Sequence, residues 1–394
     1  MNDTGKPDIA PLDSNPAPQG SVPQGSAPQE PVPGDILNSW FESLSCASLA
    51  RAAAELITAS ESTTPKPPAT SIRDTLLLTI SRQAMACEWE VLLNQHQYPL
   101  GAEEAMRALD LIELLETLHS VFRTHSDLIA INRFAATRPV AVAHDTLVLL
   151  KLASDMHRLT EGAFDITAGS LSQTWGFSRR QGRMPSETEI AKARQVVGTE
   201  FIELDESQRQ VTLTKPGVTI NPGGIGKGYA LDRAAGRLVS NGIVNFMMHG
   251  GLSSVVAQGD RQHSETGGGW LVALKHPWRW EEQIGTIRLN NQALATSGSG
   301  KQFFHYQGQR YSHIIDPRSG WPAQGMMSTT VICASAAVAD ALATALFVMG
   351  PARSREFCQR HPSIAAILVY NDPQSGSTVT ESHNLTESQW LPLR

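Results

Sequence analysis

The pattern of apolar and polar positions separates a polar N-terminal stretch from a long region with regular periodicity. Residues 1–34 are rich in Pro, Gln and Ser and carry few large apolar side chains. Such a stretch buries too little apolar surface to offset its ordering entropy, which predicts a disordered tail. Apolar residues at helical spacing over 35–58 and a Pro-rich segment over 60–70 predict short helices and a linker across 35–70. We therefore expect one globular domain over 71–394.

Within that domain the pattern predicts more strands than helices. Helical spacing of apolar residues occurs over 102–120, 145–159, 229–239 and 336–349, and Gly350-Pro351 is a stop signal for the last helix. Strands in succession with a few long helices indicate the α+β class. Short apolar runs predict strands at 76–80, 89–93, 211–213, 218–220, 244–248, 254–257, 270–273, 286–289, 293–296, 329–333 and 365–370.

Composition and charge argue against several functional classes. The 394 residues have a formal net charge of −6 and no cluster of basic residues, so no nucleic-acid-binding surface is expected. No run of 18 apolar residues occurs and no apolar segment follows the initiator Met, so we expect neither a membrane span nor a signal peptide. The four cysteines lie far apart without metal-binding spacing, which is typical of a cytoplasmic protein.

The segment INPGGIGKGYALD, from Ile220 to Asp232, is the strongest candidate for chemistry. Its glycines allow a tight turn and a close approach to a ligand. The turn leads into a helix, whose N-terminus offers unpaired N–H groups and a positive dipole end to a phosphate, and Lys227 adds a cation there. The spacing differs from that of the common phosphate loops, so a tight turn that caps a buried helix is an equally good interpretation of this segment alone.

Four further segments are candidates, although each has an ordinary structural interpretation by itself. GAFDIT places Asp165 after a glycine, as in a helix N-cap. NFMMHGG ends a strand with a glycine pair, and ATSG places hydroxyl groups at a strand end, where a turn is expected. In YSHIIDPRSG, His313 precedes a turn, a position at which a single histidine is usually structural.

A fifth segment places Asp340 and Thr344 four residues apart on one face of an otherwise apolar helix. A buried carboxylate without a partner is costly, so Asp340 requires a hydrogen bond or a metal ion. Oxygen ligands from Asp, Thr and a backbone carbonyl suit a hard cation such as Mg²⁺. The alternative is a Thr hydroxyl bonded to its own helix and an Asp paired with a nearby Arg.

Together these segments resemble the ApbE family, the FAD:protein FMN transferases. The resemblance also includes AMACEWEV at 84–91 and FRTHSDLIAINR at 122–133, and it spans about residues 75–370. It implies an α+β fold of mixed sheets with packed helices, related to the T-fold. It further implies a Mg²⁺-dependent enzyme that transfers FMN from FAD to a Thr or Ser hydroxyl of an acceptor flavoprotein and releases AMP.

The resemblance also implies site residues by position. Metal ligands fall on Asp340, Thr344 and the carbonyl of Gly224, while His313 takes the place of the family's general base and Lys227 that of a catalytic phosphate-binding residue. The implied contacts of the flavin nucleotide are Met85, Phe122, Ala163, Phe164, Asp165, Asn221, Lys227, Ile314 and Ile315.

Two expectations follow from these assignments. Met85 and Phe122 are apolar and would enclose a flavin or adenine ring between them. Residues 1–70 lack every motif of the site, so a chain that starts near Ser71 is expected to stay soluble and to bind FAD normally. The sequence leaves the oligomeric state open between monomer and dimer.

Four positions depart from the family pattern. Asn221 stands where Asp is frequent, and Leu252 follows the glycine pair where Asp is usual. Gly300 replaces an aromatic residue, and Ala343 stands where some members carry a third acidic group. The missing carboxylates and the missing ring are expected to change nucleotide affinity and acceptor choice more than metal binding. They leave two alternatives open, an FAD pyrophosphatase that uses water as acceptor and a non-catalytic FAD-binding protein.

Overall fold

The computed structural model describes residues 33–44, 76–261, 268–300 and 302–393. The predicted linker at 60–70 lies outside these ranges, as does the predicted tail apart from its last two residues, which begin the first helix. The described helices are α1 (Pro33–Leu44), α2 (Gly101–His119), α3 (Asp127–Phe134), α4 (His144–Leu159), α5 (Gly169–Thr174), α6 (Glu187–Arg194), α7 (Gly226–Ser240) and α8 (Ala336–Arg360).

The described strands fall into one large sheet and three small ones. They are β1 (Leu77–Ala84), β2 (Cys87–Asn94), β3 (Val140–Ala141), β4 (Ile202–Asp205), β5 (Gln210–Leu213), β6 (Phe246–Gly250), β7 (Ser254–Gln258), β8 (Trp270–Lys275), β9 (Gln283–Leu289), β10 (Gln292–Gly298), β11 (Phe303–Tyr306), β12 (Gln309–Ser312), β13 (Met326–Cys333), β14 (Ala365–Asn371), β15 (Thr378–His383) and β16 (Trp390–Pro392).

The large sheet has the strand order β1-β2-β6-β7-β10-β13-β14-β15, and every neighbouring pair is antiparallel. Its central strands are buried on both faces, so they appear in the sequence as continuous apolar runs. Alternate residues serve different layers: Val331 packs with the helices, whereas its neighbour Ile332 packs with the sheet β16-β9-β8. The site lies on the helical side of this sheet.

Helix α8 is the central helix of the core, and its residues from Ala336 to Phe347 are nearly all buried. Gly350 interrupts it with a non-helical backbone (φ 77°, ψ 175°), and helical structure resumes at Pro351. The predicted stop at Gly350-Pro351 therefore marks a real break. By length and composition α8 is the one helix in the described ranges that could cross a membrane, a property that buried core helices share.

Helix α1 packs into the same core as the rest of the described chain. Leu37 and Trp40 are buried with residues of the main cluster, and the indole Nε1 of Trp40 donates a hydrogen bond to Asp155 on α4 at 2.8 Å. The described residues from Pro33 onward accordingly form one compact unit. This packing indicates that removal of residues 1–70 would lower the stability of the fold. The domain boundary, and the expectation that a chain starting near Ser71 stays soluble and binds FAD normally, stay predictions.

The α+β class is confirmed, while the elements differ in detail. The predicted strand at 218–220 is wrong, because Thr219 makes only a single bridge, to Ala168. Helices α3 and α6 were not predicted, since each has only eight residues. A capping box at Ser186 and Glu189 begins α6 and was a sequence signal for it.

Candidate flavin-nucleotide site

The glycine-rich segment forms a turn that leads into α7. The carbonyl of Pro222 accepts hydrogen bonds from the N–H groups of Ile225 (3.0 Å) and Gly226 (2.8 Å). The side-chain oxygen of Asn221 accepts a hydrogen bond from the N–H of Gly223 at 3.0 Å. Asn221 therefore closes the turn with a neutral acceptor, in the place where the family often has a carboxylate.

A second asparagine holds the backbone that enters this turn. Oδ1 of Asn132, on α3, accepts a hydrogen bond from the N–H of Ile220 at 2.7 Å, and its Nδ2 donates to the carbonyl of Ile220 at 3.0 Å. Asn132 thus replaces a strand partner at Ile220. It lies within the motif FRTHSDLIAINR but was not among the predicted site residues, because the contact joins positions 88 residues apart.

Helices α7 and α8 meet at their N-terminal ends, a contact called here the α7–α8 junction. A Cβ on Gly228 would lie 2.1 Å from the carbonyl oxygen of Ala336, so only glycine permits this approach. The N–H of Gly228, which has no partner within its own helix, donates to Oδ2 of Asp340 at 3.1 Å. The motif glycine therefore orients the predicted metal ligand.

Asp232 fixes the same junction from the side of α7. Its carboxylate accepts hydrogen bonds from Oγ of Ser335 (2.6 Å) and from the N–H groups of Ala336 (2.8 Å) and Ala337 (2.9 Å). A side chain of α7 thereby caps the N-terminus of α8. Burial raises the pKa of Asp232 to about 7, although the hydrogen bonds from Ser335 and the backbone act in the opposite direction.

The three residues predicted to hold the metal lie close together at the junction. Oγ1 of Thr344 lies 3.1 Å from the position that a Cβ on Gly224 would take. The same Oγ1 lies 3.0 Å from Oγ of Ser297 on β10 and 3.3 Å from the carbonyl oxygen of Asp340. Ser297 therefore adds a hydroxyl oxygen that was not predicted as a ligand.

Both parts of the structural alternative for Asp340 and Thr344 can be compared with these contacts. The hydroxyl of Thr344 does contact its own helix carbonyl. In the described ranges, however, no Arg, Lys or His lies within ion-pair distance of Asp340, whose recorded partner is the N–H of Gly228. A buried carboxylate with so few partners needs a further positive group.

The donor set fits a hard divalent cation. It consists of one carboxylate, two hydroxyl groups and a backbone carbonyl, all of which are oxygen donors. Across the part of the chain that the structure describes, no group of three or more His, Cys, Asp or Glu could hold a metal ion. A set with a single carboxylate suits Mg²⁺, which keeps water and takes further oxygens from substrate phosphates.

His313 follows β12 and is half-buried. Its Nδ1 lies 3.1 Å from the carbonyl oxygen of Gln302, so Nδ1 carries the proton and Nε2 has a lone pair. Burial lowers the pKa of His313, the backbone contact with Gln302 raises it, and the positive charge of Lys227 lowers it further. The net shift is downward, which keeps the imidazole neutral and able to accept a proton.

The loop 162–167 contributes Phe164 to the site and uses Asp165 internally. The ring carbon Cε2 of Phe164 lies 3.4 Å from the Cβ position on Gly224. Asp165 is buried, and its Oδ1 accepts hydrogen bonds from the N–H (2.7 Å) and Oγ1 (2.5 Å) of Thr167. Its Oδ2 lies 3.0 Å from Nδ1 of His157. Burial lowers the pKa of His157, but the hydrogen bond and charge of Asp165 outweigh it and raise the pKa.

The other predicted nucleotide contacts lie in different environments. Met85 and Ala86 form the turn between β1 and β2 with φ values of 48° and 58°, a conformation uncommon for residues with a Cβ. Phe122 is 80% exposed, so it does not form a closed sandwich with Met85. The side chains of Ala163, Ile314 and Ile315 are buried in the protein interior.

The departures at Gly300 and Ala343 have structural reasons. A Cβ on Gly300 would lie 2.2 Å from the carbonyl oxygen of Pro277, and the indole of Trp278 lies 3.9 Å away. No aromatic residue fits at position 300, and Trp278 supplies a ring beside it. Ala343 is completely buried, so an acidic side chain there would lie inside the core and would need a partner. Leu252, by contrast, is exposed in a turn.

This constellation of a glycine turn, a helix N-terminus, an oxygen donor set and a neutral histidine is that of a nucleotide-dependent transferase. The model of the ApbE family matches residues 85–368. The FAD:protein FMN transferase of Vibrio cholerae is 32% identical over 285 residues, which cover 70% of this chain and 83% of the relative. The enzyme of the same name from Haemophilus influenzae is 27% identical over 310 residues, which cover 76% of this chain and 88% of the relative.

Solved structures show the same fold. The ApbE protein of Thermotoga maritima matches with a TM-score of 0.68 and 30% identity, over 77% of this chain and 96% of that one. The flavin transferase ApbE of Vibrio cholerae matches with a TM-score of 0.68 and 28% identity, over 78% of this chain and 97% of the Vibrio cholerae chain. The chain belongs to the ApbE family. The predictions of the family, the fold and a transferase enzyme are confirmed.

Proposed function

We propose that this chain transfers FMN from FAD to a Thr or Ser hydroxyl of an acceptor flavoprotein and releases AMP. The observation that carries the proposal is the α7–α8 junction, where the Gly228 N–H, Asp340 and Thr344 lie beside the glycine turn. The curated relatives, several of which share most of their length with this chain, bear the name of this activity. Family membership and local geometry therefore support the same reaction.

The reaction forms one bond and breaks one. The acceptor oxygen bonds to the phosphorus on the flavin side of the pyrophosphate, and the bond from that phosphorus to the bridging oxygen breaks. The bridging oxygen leaves with AMP. His313 takes the proton of the acceptor hydroxyl through Nε2, because its Nδ1 is held by the carbonyl of Gln302. Lys227 and the N–H groups at the start of α7 bind the phosphate oxygens.

We further propose Mg²⁺ as the cofactor, held by Asp340, Thr344, the carbonyl of Gly224 and the hydroxyl of Ser297. When bound, the ion neutralises the charge on the pyrophosphate oxygens. The chain's own contribution is preorganisation. Gly228 fixes the direction of the Asp340 carboxylate, and Asp232 fixes the end of the helix that carries it.

The experiment starts from the purified chain, FAD, Mg²⁺ and an extract of cells that lack this chain. A protein of the extract should become fluorescent in a denaturing gel, and mass spectrometry should find FMN on one of its Thr or Ser residues. FMN and AMP without a modified protein would indicate the pyrophosphatase alternative. Intact FAD bound to the chain, with neither product, would indicate the non-catalytic alternative. Asp340→Asn serves as the inactive control.

A cytoplasmic location and the absence of nucleic-acid partners stay predictions. The location is supported by Cys333 and Cys358, which are buried thiols without a disulfide. Burial raises the pKa of both thiols to about 12, which makes them unreactive. Neither monomer nor dimer is favoured by a contact in the described residues.

A further inference from the structure

We propose that a cavity beside β12 receives an acidic side chain of the acceptor protein, next to the hydroxyl that is modified. The inference rests on the proposed function and names what selects the acceptor. The cavity, called here the hairpin cavity, has a volume of about 220 Å³ and lies among the loop after β8, the end of β10, the β11–β12 hairpin and the start of β13. Its lining includes Trp278, Ser299, Arg310, Ser312 and Met327.

Strand alternation directs two polar side chains of β12 into this cavity. Arg310 pairs with His305 and Ser312 pairs with Phe303 across the hairpin, so Arg310 and Ser312 share one face. Tyr311 lies on the opposite face, stacked on Trp175 with ring centroids 5.9 Å apart. The hairpin therefore presents a packed apolar face on one side and a guanidinium with a hydroxyl on the other.

The guanidinium of Arg310 is held in a fixed plane. It lies over the rings of Phe303 and Trp278, at 3.7 Å and 4.8 Å from their centroids, and its Nη2 donates to the carbonyl of Ser299 at 2.6 Å. Stacking of this kind preorganises the planar group for bidentate binding of a carboxylate. Burial also lowers the pKa of Arg310, as expected for a cation that is partly removed from water.

Two polar atoms of residues that line the hairpin cavity are themselves buried and lack a hydrogen-bond partner within the described ranges. They are Nε of Arg310 and Oγ of Ser312, and Ser312 is only 3% exposed. No described carboxylate lies within ion-pair distance of Arg310. A buried polar group without a partner costs about 1–3 kcal/mol. A carboxylate in the cavity would pair with the guanidinium of Arg310, which lines the cavity and has no counter-ion among the described residues.

We assign the occupant to the acceptor because the proposed FAD contacts lie elsewhere. None of the residues to which flavin-nucleotide or metal contacts are assigned lines the hairpin cavity. Trp278 and Phe303, which stack on Arg310, are each 40% exposed. Exposed aromatic rings around an arginine are typical of the centre of a protein–protein interface. The cavity therefore has the composition of a docking site for a protein.

The cavity also lies within reach of the reacting groups. Ser297 contacts Thr344 at the proposed metal site, whereas Ser299, two residues further, accepts a hydrogen bond from Nε1 of Trp278 at 3.2 Å. Two residues of extended chain span about 7 Å. An extended acceptor segment with its hydroxyl beside the proposed metal site would therefore bring a side chain a few residues away to the cavity.

The test uses the acceptor identified by FMN addition, with wild-type enzyme and Arg310→Met, which removes the charge but keeps the apolar stem. A second acceptor has the acidic residues within five positions of the modified hydroxyl changed to amides. We expect either change alone to raise the KM for acceptor by roughly 10- to 100-fold, the loss expected for one charge-assisted hydrogen bond. The two changes together should cost little more than one. The Kd for FAD should stay unchanged.

Two controls separate this effect from a general one. Arg279→Gln removes a positive charge from the loop that carries Trp278, but Arg279 is paired with Glu282, so the KM for acceptor should not change. Arg310→Lys keeps the charge without the planar fork and should give an intermediate KM. Equal melting temperatures of the wild-type enzyme and the variants would exclude loss of the fold as the cause of a change in KM.

Three results would overturn the inference. The first is an unchanged KM for acceptor in Arg310→Met, and the second is additive losses in the double combination. The third is a weaker Kd for FAD, which would make the cavity part of the nucleotide site. If the wild-type enzyme modified no protein at all, the proposed function would fail as well, so the two failures are distinguishable.

Discussion

The α7–α8 junction and the hairpin cavity differ in where their polar groups find partners. At the junction, Asp232 accepts three hydrogen bonds from the start of α8, and Asp340 accepts one from Gly228. In the cavity, Nε of Arg310 and the hydroxyl of Ser312 have no recorded partner in the described ranges. One region is held together by hydrogen bonds within the chain, whereas the other has an arginine without a described counter-ion in the lining of a cavity.

This difference indicates two tasks. Groups that act on charge developing during a reaction must be fixed in advance, and the junction fixes them with hydrogen bonds within the chain. Groups that recognise a partner protein must stay unpaired until that protein binds. Unpaired buried polar groups lower the stability of the free enzyme. The junction is accordingly suited to chemistry and the cavity to selection of the acceptor.

The largest effect on activity is expected from Asp340→Asn, which removes the negative charge of Asp340 from the α7–α8 junction. FMN transfer should fall by more than about 10³-fold at saturating Mg²⁺, because charge neutralisation at the pyrophosphate supplies several kcal/mol. The amide oxygen can still accept the Gly228 hydrogen bond, so the fold should remain. Single-turnover rates and the melting temperature test this expectation. Equal turnover by the variant would contradict the assigned role of Asp340.

His313→Ala should reduce kcat by roughly 10²–10⁴-fold and leave FAD affinity nearly normal. A base is needed in the transition state and not for binding of the nucleotide. If His313 only supported the turn that follows it, the variant would melt at a lower temperature while its rate per folded molecule stayed constant.

The pH dependence of kcat tests the same residue in the wild-type enzyme. His313 acts as a base only when neutral, so activity is lost as the pH falls through its pKa. Burial and Lys227 lower that pKa below its usual 6.5. The acid limb of the profile should therefore lie below pH 6.5. Lys227→Met should move the limb to higher pH, and a limb above 6.5 in the wild-type enzyme would speak against His313 as the base.

Leu37→Ala tests whether α1 is part of the folded domain that contains the α7–α8 junction and the hairpin cavity. Leu37 is buried in the main core, so its truncation should lower the free energy of unfolding by roughly 2–5 kcal/mol. The exposed Ser39 on the same helix provides a matched control, because Ser39→Ala should change it by less than about 0.5 kcal/mol. Equal denaturation midpoints for the two variants would support a domain that starts near residue 71.

The smallest effect is expected from Asp232→Asn, which weakens the cap of α8. The amide loses acceptor capacity, so the free energy of unfolding should fall by roughly 1–3 kcal/mol. Because burial raises the pKa of Asp232 from 3.8 to about 7, the folded state binds this proton more tightly than the unfolded state. The contribution of Asp232 is therefore present below pH 4 and is lost as the pH rises to about 7.

Denaturation of wild type and Asp232→Asn between pH 4.5 and 8 checks that sign. The stability advantage of the wild type should be larger at the acid end, since only the wild type carries the titrating group. An advantage that grows with pH would mean that the hydrogen bonds of the carboxylate outweigh its burial.

The sequence was informative where the signal is local. Period and length predicted the long helices and most strands. The resemblance to the ApbE family implied that Gly224, Asp340 and Thr344 share one metal site, which stays a prediction. The roles of Asn132 and Asp232 were not predictable, because each depends on a partner 88 to 105 residues away. For Asp165 the resemblance implied a nucleotide contact, which stays a prediction, while the structure adds contacts of its oxygens with Thr167 and His157.

The most direct test of the central claim is the fate of oxygen during turnover in water enriched in heavy oxygen. The account predicts that the acceptor gains the mass of FMN less one water, with one AMP released per modified acceptor and no heavy oxygen in either product. Asp340→Asn should give neither product. Heavy oxygen in free FMN or AMP, with an unmodified acceptor, would show that water attacks the pyrophosphate and would contradict the account.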